Sequence, residues 1–144
     1  MPNKTPYVTA ALLCEKILQE KDNVLTAVRI VDQITVQRPS AVAGLTPAIQ
    51  MNALVMLKSG DVTGPSEITV KLRSPRGKIM EIPDKYSSLL TGGVQGQNLA
   101  LTFIVEIKDE FGLFWLDVYW NGEVLTSIPF NLVEAPPVEI PAKT

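Results

Sequence analysis

The stretch FGLFWLDVYWNGEVLTSIPFNL, Phe111 to Leu132, decides the fold. Two segments of alternating apolar residues flank Trp120-Asn121-Gly122. One face of the first carries Phe114, Leu116 and Val118, and the apolar set of the second is Val124, Ile128, Phe130 and Leu132. This is an antiparallel β-hairpin. A two-residue Asn-Gly turn would pair Trp120 with Glu123 and set Val124 and Ile128 on the face opposite Phe114 and Leu116. A three-residue loop with Gly122 left-handed in a G1 bulge instead pairs Tyr119 with Glu123 and aligns Val118 with Val124, Leu116 with Thr126 and Phe114 with Ile128. The pattern favours the bulge, which leaves Trp115, Asp117 and Tyr119 on the other face beside Glu123, Leu125 and Ser127.

Working outward, Leu99, Leu101, Phe103, Val105 and Ile107 alternate with Asn98, Ala100, Thr102, Glu106 and Lys108, the cleanest strand pattern in the chain. Asp109-Glu110-Phe111-Gly112 turns it into the hairpin. Ala48 to Lys58, with Met51, Ala53, Val55 and Leu57 on one side, reads as a central strand broken by Gly60 to Ser66. Ile68, Val70 and Leu72 alternate with Thr69, Lys71 and Arg73 in another strand. Ser74-Pro75-Arg76-Gly77 is a type I turn signal leading into a return strand, Lys78 to Ile82. Asp84 to Gln97 has no usable period and is expected to be a long loop with at most one helical turn.

Nearer the start, Val8 to Lys16 reads as a strand with Val8, Ala10, Leu12 and Cys14 on one face. Leu12 to Glu20 also fits a short helix, because Leu13 and Ile17 are four apart. After Gln19 to Asn23, the β-branched run Val24 to Val36 is a single strand with Asp32 on its apolar side, ended by Arg38-Pro39. About eight strands at hairpin spacing imply an all-β fold, a single antiparallel two-sheet sandwich over residues 1–133. Residues 134–144, with Pro136, Pro137 and Pro141, form an extended tail.

At 144 residues the chain is long enough to bury roughly two thirds of its unfolded surface in one core. A net charge of −2 argues against nucleic acid as the partner. A single cysteine permits no internal disulfide, and the absence of histidine removes the commonest general base and neutral metal ligand. No apolar run approaches the ~20 residues of a membrane-spanning helix. Tyr7 to Leu13 is too short for a lipoprotein signal, and bulky Leu13 sits where cleavage needs a small residue. The expectation is a soluble cytoplasmic protein, with no cofactor and no catalytic or metal residues.

The pattern of Ala11-Leu12-Leu13-Cys14-Glu15, Val28-Arg29-Ile30-Val31-Asp32, Gly112, Asp117, Asn121-Gly122 and Ile128-Pro129-Phe130 resembles a family of uncharacterised bacterial β-sandwich proteins, a domain of unknown function. The resemblance implies an immunoglobulin-like or C2-like (calcium-lipid-domain-like) sandwich in a bacterial cytoplasm, and it brings no active-site residues.

Each chemical motif has a structural reading that outweighs it. Cys14 lies on an apolar face without a histidine to take its proton, so it reads as a small buried hydrophobe. Gly92-Gly93-Val94-Gln95-Gly96 lacks the helix and lysine of a phosphate cradle and reads as a flexible loop. Asp22, Asp61, Asp84, Asp109 and Glu110 read as solvated turn residues, with no Asp-x-Asp pair to hold calcium. Asp32 caps a turn or bonds a backbone amide. Lys71, Arg73, Arg76 and Lys78 protect an exposed strand edge.

Trp115, Asp117, Tyr119 and Leu125 are the candidate interface: aromatic area facing away from the core and seeking a partner. The rival structural reading is that the chain's own tail or loop covers this face. The leading function is a non-catalytic module acting through protein contacts, as adaptor, structural subunit or homo-oligomer. A module binding a carbohydrate or lipid on the same aromatics is the alternative. An enzyme would need paired carboxylates, and only Asp117 with Glu123 offers a local pair. In the oligomer reading, Val138 and Ile140 of the tail dock on the Trp115 face of a neighbouring copy.

Overall fold

In the computed structural model, which describes residues 4–36, 48–106 and 110–135, all regular structure is strand. The strands are β1 (Tyr7–Gln19), β2 (Leu25–Val31), β3 (Gln33–Val36), β4 (Ala48–Arg73), β5 (Ile79–Glu106), β6 (Gly112–Trp120) and β7 (Glu123–Glu134). Hydrogen bonding links them in the order β2-β1-β4-β6-β7-β3, with β5 on the other side of β4. The expected antiparallel two-sheet sandwich is therefore not the fold. One mixed sheet curls until nearly closed, like a barrel: β3 pairs with β7 in parallel, and β2 and β3, at opposite ends of the order, follow one another through Asp32.

The physical cause is the pair of segments expected to be loops. Gly60 to Ser66 and Asp84 to Gln97 pair with each other, Gly60 with Gly93 and Thr63 to Glu67 with Thr91 to Ser87, so β4 and β5 form one long hairpin. Its register slips at Lys58/Gly60 and Gly60/Thr63, and left-handed backbone at Gly60, Gly64, Gly92 and Gly93 bends the ladder without ending it. The first half of β4 then pairs with β1 and the second with β6, so one continuous strand stands where the sequence reads two.

The terminal hairpin also differs from expectation. It turns on two residues, with Asn121 (φ 46°) and Gly122 (φ 85°) both left-handed and Trp120 opposite Glu123. The extra residue sits one step further on: Tyr119 pairs with Val124 and Val118 with Thr126, leaving Leu125 in the bulge. Beyond it Leu116 faces Ile128 and Phe114 faces Phe130, so the apolar faces still meet. Val124 is exposed instead of entering the core.

Near the start the helical alternative for Leu12 to Glu20 is overturned: β1 is strand to Gln19. A bulge between Val8 and Ala10 moves the core face to Val8, Ala11 and Leu13. Val24 to Val36 is not one strand. It breaks at Asp32, β2 pairing with β1 and β3 with β7, and the exposed Asp32 accepts the Asn131 amide through its backbone oxygen at 2.9 Å. The Ser74 to Gly77 turn forms as expected, closed by a Gly77 N to Ser74 O bond of 2.9 Å.

The core lies inside the curl, with Leu101 and Phe103 of β5, Ile68 and Val70 of β4, Leu116 of β6 and Phe130 of β7 among its members. Arg38-Pro39, Ile107, Asp109 and the tail from Pro136, including Val138 and Ile140, lie outside the described residues. No helix among the described residues is long and apolar enough to cross a membrane.

Candidate functional site

On β6 the inward set Phe114, Leu116 and Val118 turns Trp115, Asp117 and Tyr119 to the outer surface. The ladders assign each a row across four strands. Ile79, Arg73, Trp115 and Pro129 stand side by side, then Glu81, Lys71, Asp117 and Ser127, then Lys85, Thr69, Tyr119 and Val124. The basic residues and the aromatics, two separate features in the sequence, are therefore one surface. Lys71 and Arg73 are not edge protection, because β4 has β5 on one side and β6 on the other.

Asp117 organises this surface. Arg73 donates to it through both Nε and a terminal nitrogen at 3.2 Å, and the Ser127 hydroxyl donates at 2.6 Å. Arg73 lies over the Trp115 ring at 5.4 Å and Lys71 over Tyr119 at 5.0 Å, with Lys71 3.8 Å from Glu81. So held, Asp117 is only 7 % exposed although it points away from the core. Burial alone would raise its pKa. The hydrogen bonds from Arg73 and Ser127, with the Arg73 charge, outweigh burial and hold the carboxyl below its ordinary value.

Because the folded pKa is the lower one, the pair stabilises the fold above the unfolded carboxylate pKa of about 3.9, and that contribution disappears as pH falls through the folded value. Asp117→Asn should cost about 1–2 kcal/mol at pH 7, less than a fully buried pair because the Arg73 side chain is 41 % exposed. Urea unfolding at a series of pH values checks this. The gap between wild type and variant should hold from neutral pH to about pH 4 and close below it; a gap independent of pH would mean the carboxylate charge is irrelevant.

The remaining sequence candidates separate. Leu125 packs against the core from its bulge and does not share the face of Trp115. Asp117 and Glu123 do not act as a pair: Asp117 is opposite Ser127 and Glu123 opposite Trp120, and the Asp117 oxygens are taken by Arg73 and Ser127. Cys14 is buried, and burial pushes its thiol above the ordinary value, which suits a hydrophobe rather than a nucleophile. Gly92 to Gly96 belongs to the bend of β5 and is no loop. Glu110 accepts the Arg76 amide at 2.7 Å, and its hydrogen bond with Ser74 lowers its pKa, so it braces the Ser74 to Gly77 turn. Asp22 accepts the Val24 amide in its own turn at 3.3 Å. Among the described residues no three metal-ligating side chains gather. The roles of Arg73, Lys71 and Ser127 were not read from sequence. The alternation of Lys71 and Arg73 with Ile68, Val70 and Leu72 turned them outward, but nothing local named β6 as the neighbour.

No family model matches the chain, and no curated protein does. Solved structures give distant likenesses. An alkylpurine DNA glycosylase, AlkC of Pseudomonas fluorescens bound to DNA with an abasic-site analog, aligns at 13% identity and a TM-score of 0.42 over 85% of this chain and 30% of its own. A beta-glucosidase from Listeria innocua in complex with glucose aligns at 13% identity and 0.42, over 88% of this chain and 16% of its own. The N-terminal domain of PorA aligns at 9% identity and 0.35, over 87% of this chain and 97% of its own. The chain thus spans less than a third of the glycosylase or the glucosidase.

Proposed function

We propose that the protein acts without catalysis, as a module that docks a protein partner on the outer face of β4, β6 and β7. The observation that carries this reading is the fixed stack of Arg73 on Trp115, held by the two-pronged bond to Asp117, with Lys71 on Tyr119 beside it. Trp, Tyr and Arg are the residues that concentrate binding energy in protein interfaces. Here their side chains are already ordered, so a partner meets them at reduced entropic cost. Exposed Ile79 and Val124 border the stack and add apolar area. An open face of a sheet suits a protein surface better than a sugar or lipid, which are held in concavities.

Trp115→Ala removes the largest side chain of the stack. Affinity capture from the native organism, followed by titration of the captured partner, should show binding weakened roughly 30-fold, about 2 kcal/mol, with an unchanged circular dichroism spectrum. Equal affinity of wild type and variant would remove this face from the interface.

A further inference from the structure

Among the described residues β5 pairs with β4 alone, so its other edge is the open margin of the sheet. Open edges are normally guarded by lysines, prolines or inward charges. This one is unguarded: Tyr86 to Val105 is a run of 20 residues without a single charge or proline. Leu89 and Val94 within it are 69% and 83% exposed. We infer that β5 is a self-association edge, and that a second copy of this chain adds its own β5 antiparallel to it across a two-fold axis.

Three features select a second copy and fix its register. The first is facing. From Tyr86 to Leu90 the even-numbered residues turn inward, opposite Ile68, Ser66 and Gly64, whereas from Leu99 to Val105 the odd-numbered ones do, opposite Val55, Ala53, Met51 and Ile49. Directly opposed residues in an antiparallel pair share a face. With the Tyr86–Leu90 arm of one copy along the Leu99–Val105 arm of the other, inward residues stay together only if even positions of one meet odd positions of the other. The switch of facing within the strand supplies that match.

The second feature is shape. The bend at Gly93 to Gly96 lies at the middle of the uncharged run. A two-fold axis normal to the sheet between Gln95 and Gly96 lays one bend on the other with the same concave side, so both arms of each edge run alongside their mates. An unrelated straight strand could follow one arm only. The third is charge. That axis sets Leu90 opposite Leu101, Thr91 opposite Ala100 and Lys85 opposite Glu106, so the first charges beyond the run on either side are of opposite sign. Glu106 also interacts within its own chain, so this end pair adds to the register and is not required by it. A closed two-fold pairing consumes both edges and leaves no open end for a fibre.

Thr91 and Ala100, both exposed and set opposite each other, give a test specific to this register. The full wild-type chain should sediment at twice its 15.7 kDa mass, with a monomer appearing on dilution. Thr91→Lys/Ala100→Lys places like charges opposite one another in both halves of the edge and should raise the dimer dissociation constant at least tenfold. Thr91→Lys/Ala100→Glu places opposite charges there and should restore the dimer. Circular dichroism of each variant at monomer concentrations confirms the fold. Wild type that is monomeric at every attainable concentration overturns the inference. So does a Lys/Lys variant that dimerises as tightly as wild type, or a Lys/Glu variant as weak as Lys/Lys. Trp115→Ala should leave the dimer intact, which separates this edge from the partner face.

Discussion

Phe130→Ala will lower the unfolding free energy by about 3–5 kcal/mol, and the melting temperature by about 10–15 °C. Phe130 is almost fully buried, stacked against Phe114 of β6 with ring centroids 5.4 Å apart and tilted against Phe103 of β5 at 6.4 Å. It therefore joins the terminal hairpin to the far arm of the bent β4–β5 hairpin, two parts that share no ladder at that point. Removing the ring loses its transfer energy, two aromatic contacts of about 0.5–1.5 kcal/mol each and the packing of a wall that can collapse only in part. Leu113→Ala, one residue from Phe114 but on the exposed side of β6, should cost less than about 1 kcal/mol. Guanidinium unfolding measures both. A Phe130 penalty below about 1 kcal/mol would place the centre of the core elsewhere.

Where one face of a strand is inward throughout, the alternation of residue types was enough. Phe114, Leu116 and Val118, Ile68, Val70 and Leu72, and Leu99 to Val105 all take the facing that their spacing requires, because each second residue meets the same apolar interior. That facing also put Trp115, Asp117 and Tyr119 outside. The exact turn was not legible, since two placements of the odd residue bring Phe114 and Leu116 to the same side as Ile128. What supports the shorter turn is distant in sequence: Asn121 bonds Glu67 through its backbone amide at 2.9 Å and its side-chain oxygen at 2.8 Å. Such a contact has no local signature.

The larger departures of the fold from the sequence pattern have one origin. Gly60, Gly64 and Pro65 are strand-breaking residues by composition, and so are Gly92, Gly93 and Gly96, yet here Gly60 faces Gly93 and the others lie within a few residues of that pair in the same hairpin. A bend on both strands at the same level keeps the ladder, whereas a breaker on one strand alone would end it. The change of inward facing between Leu90 and Leu99 also erased the period over Asp84 to Gln97, so a strand looked like a loop. Cut in two, the hairpin leaves Lys71 and Arg73 without β5 and β6 as neighbours, and Asp117 without the arginine that covers it.

The bend carries the second large effect, Gly96→Ala. Gly96 pairs with Lys58, and a methyl group on its Cα would collide with the Leu57 carbonyl oxygen and lie 2.7 Å from the carbonyl carbon and 2.9 Å from Lys58 Cα. These are main-chain atoms of a central strand, held by β1 as well as β5, so they cannot move aside as a flexible side chain would. The alanine variant should lose about 3 kcal/mol, the upper end of over-packing penalties, whereas Gly93→Ala, with nothing within 4 Å of the new methyl, should lose about 1 kcal/mol through its left-handed φ of 69°. Thermal unfolding ranks the two. Equal penalties would mean that the Leu57–Lys58 backbone gives way, and that the close approach of the strands does not demand glycine at position 96. If the ranking holds, the bend is a packed joint, and amide exchange in the Gly96 variant should rise in both arms of β5, since neither keeps its register when the joint opens.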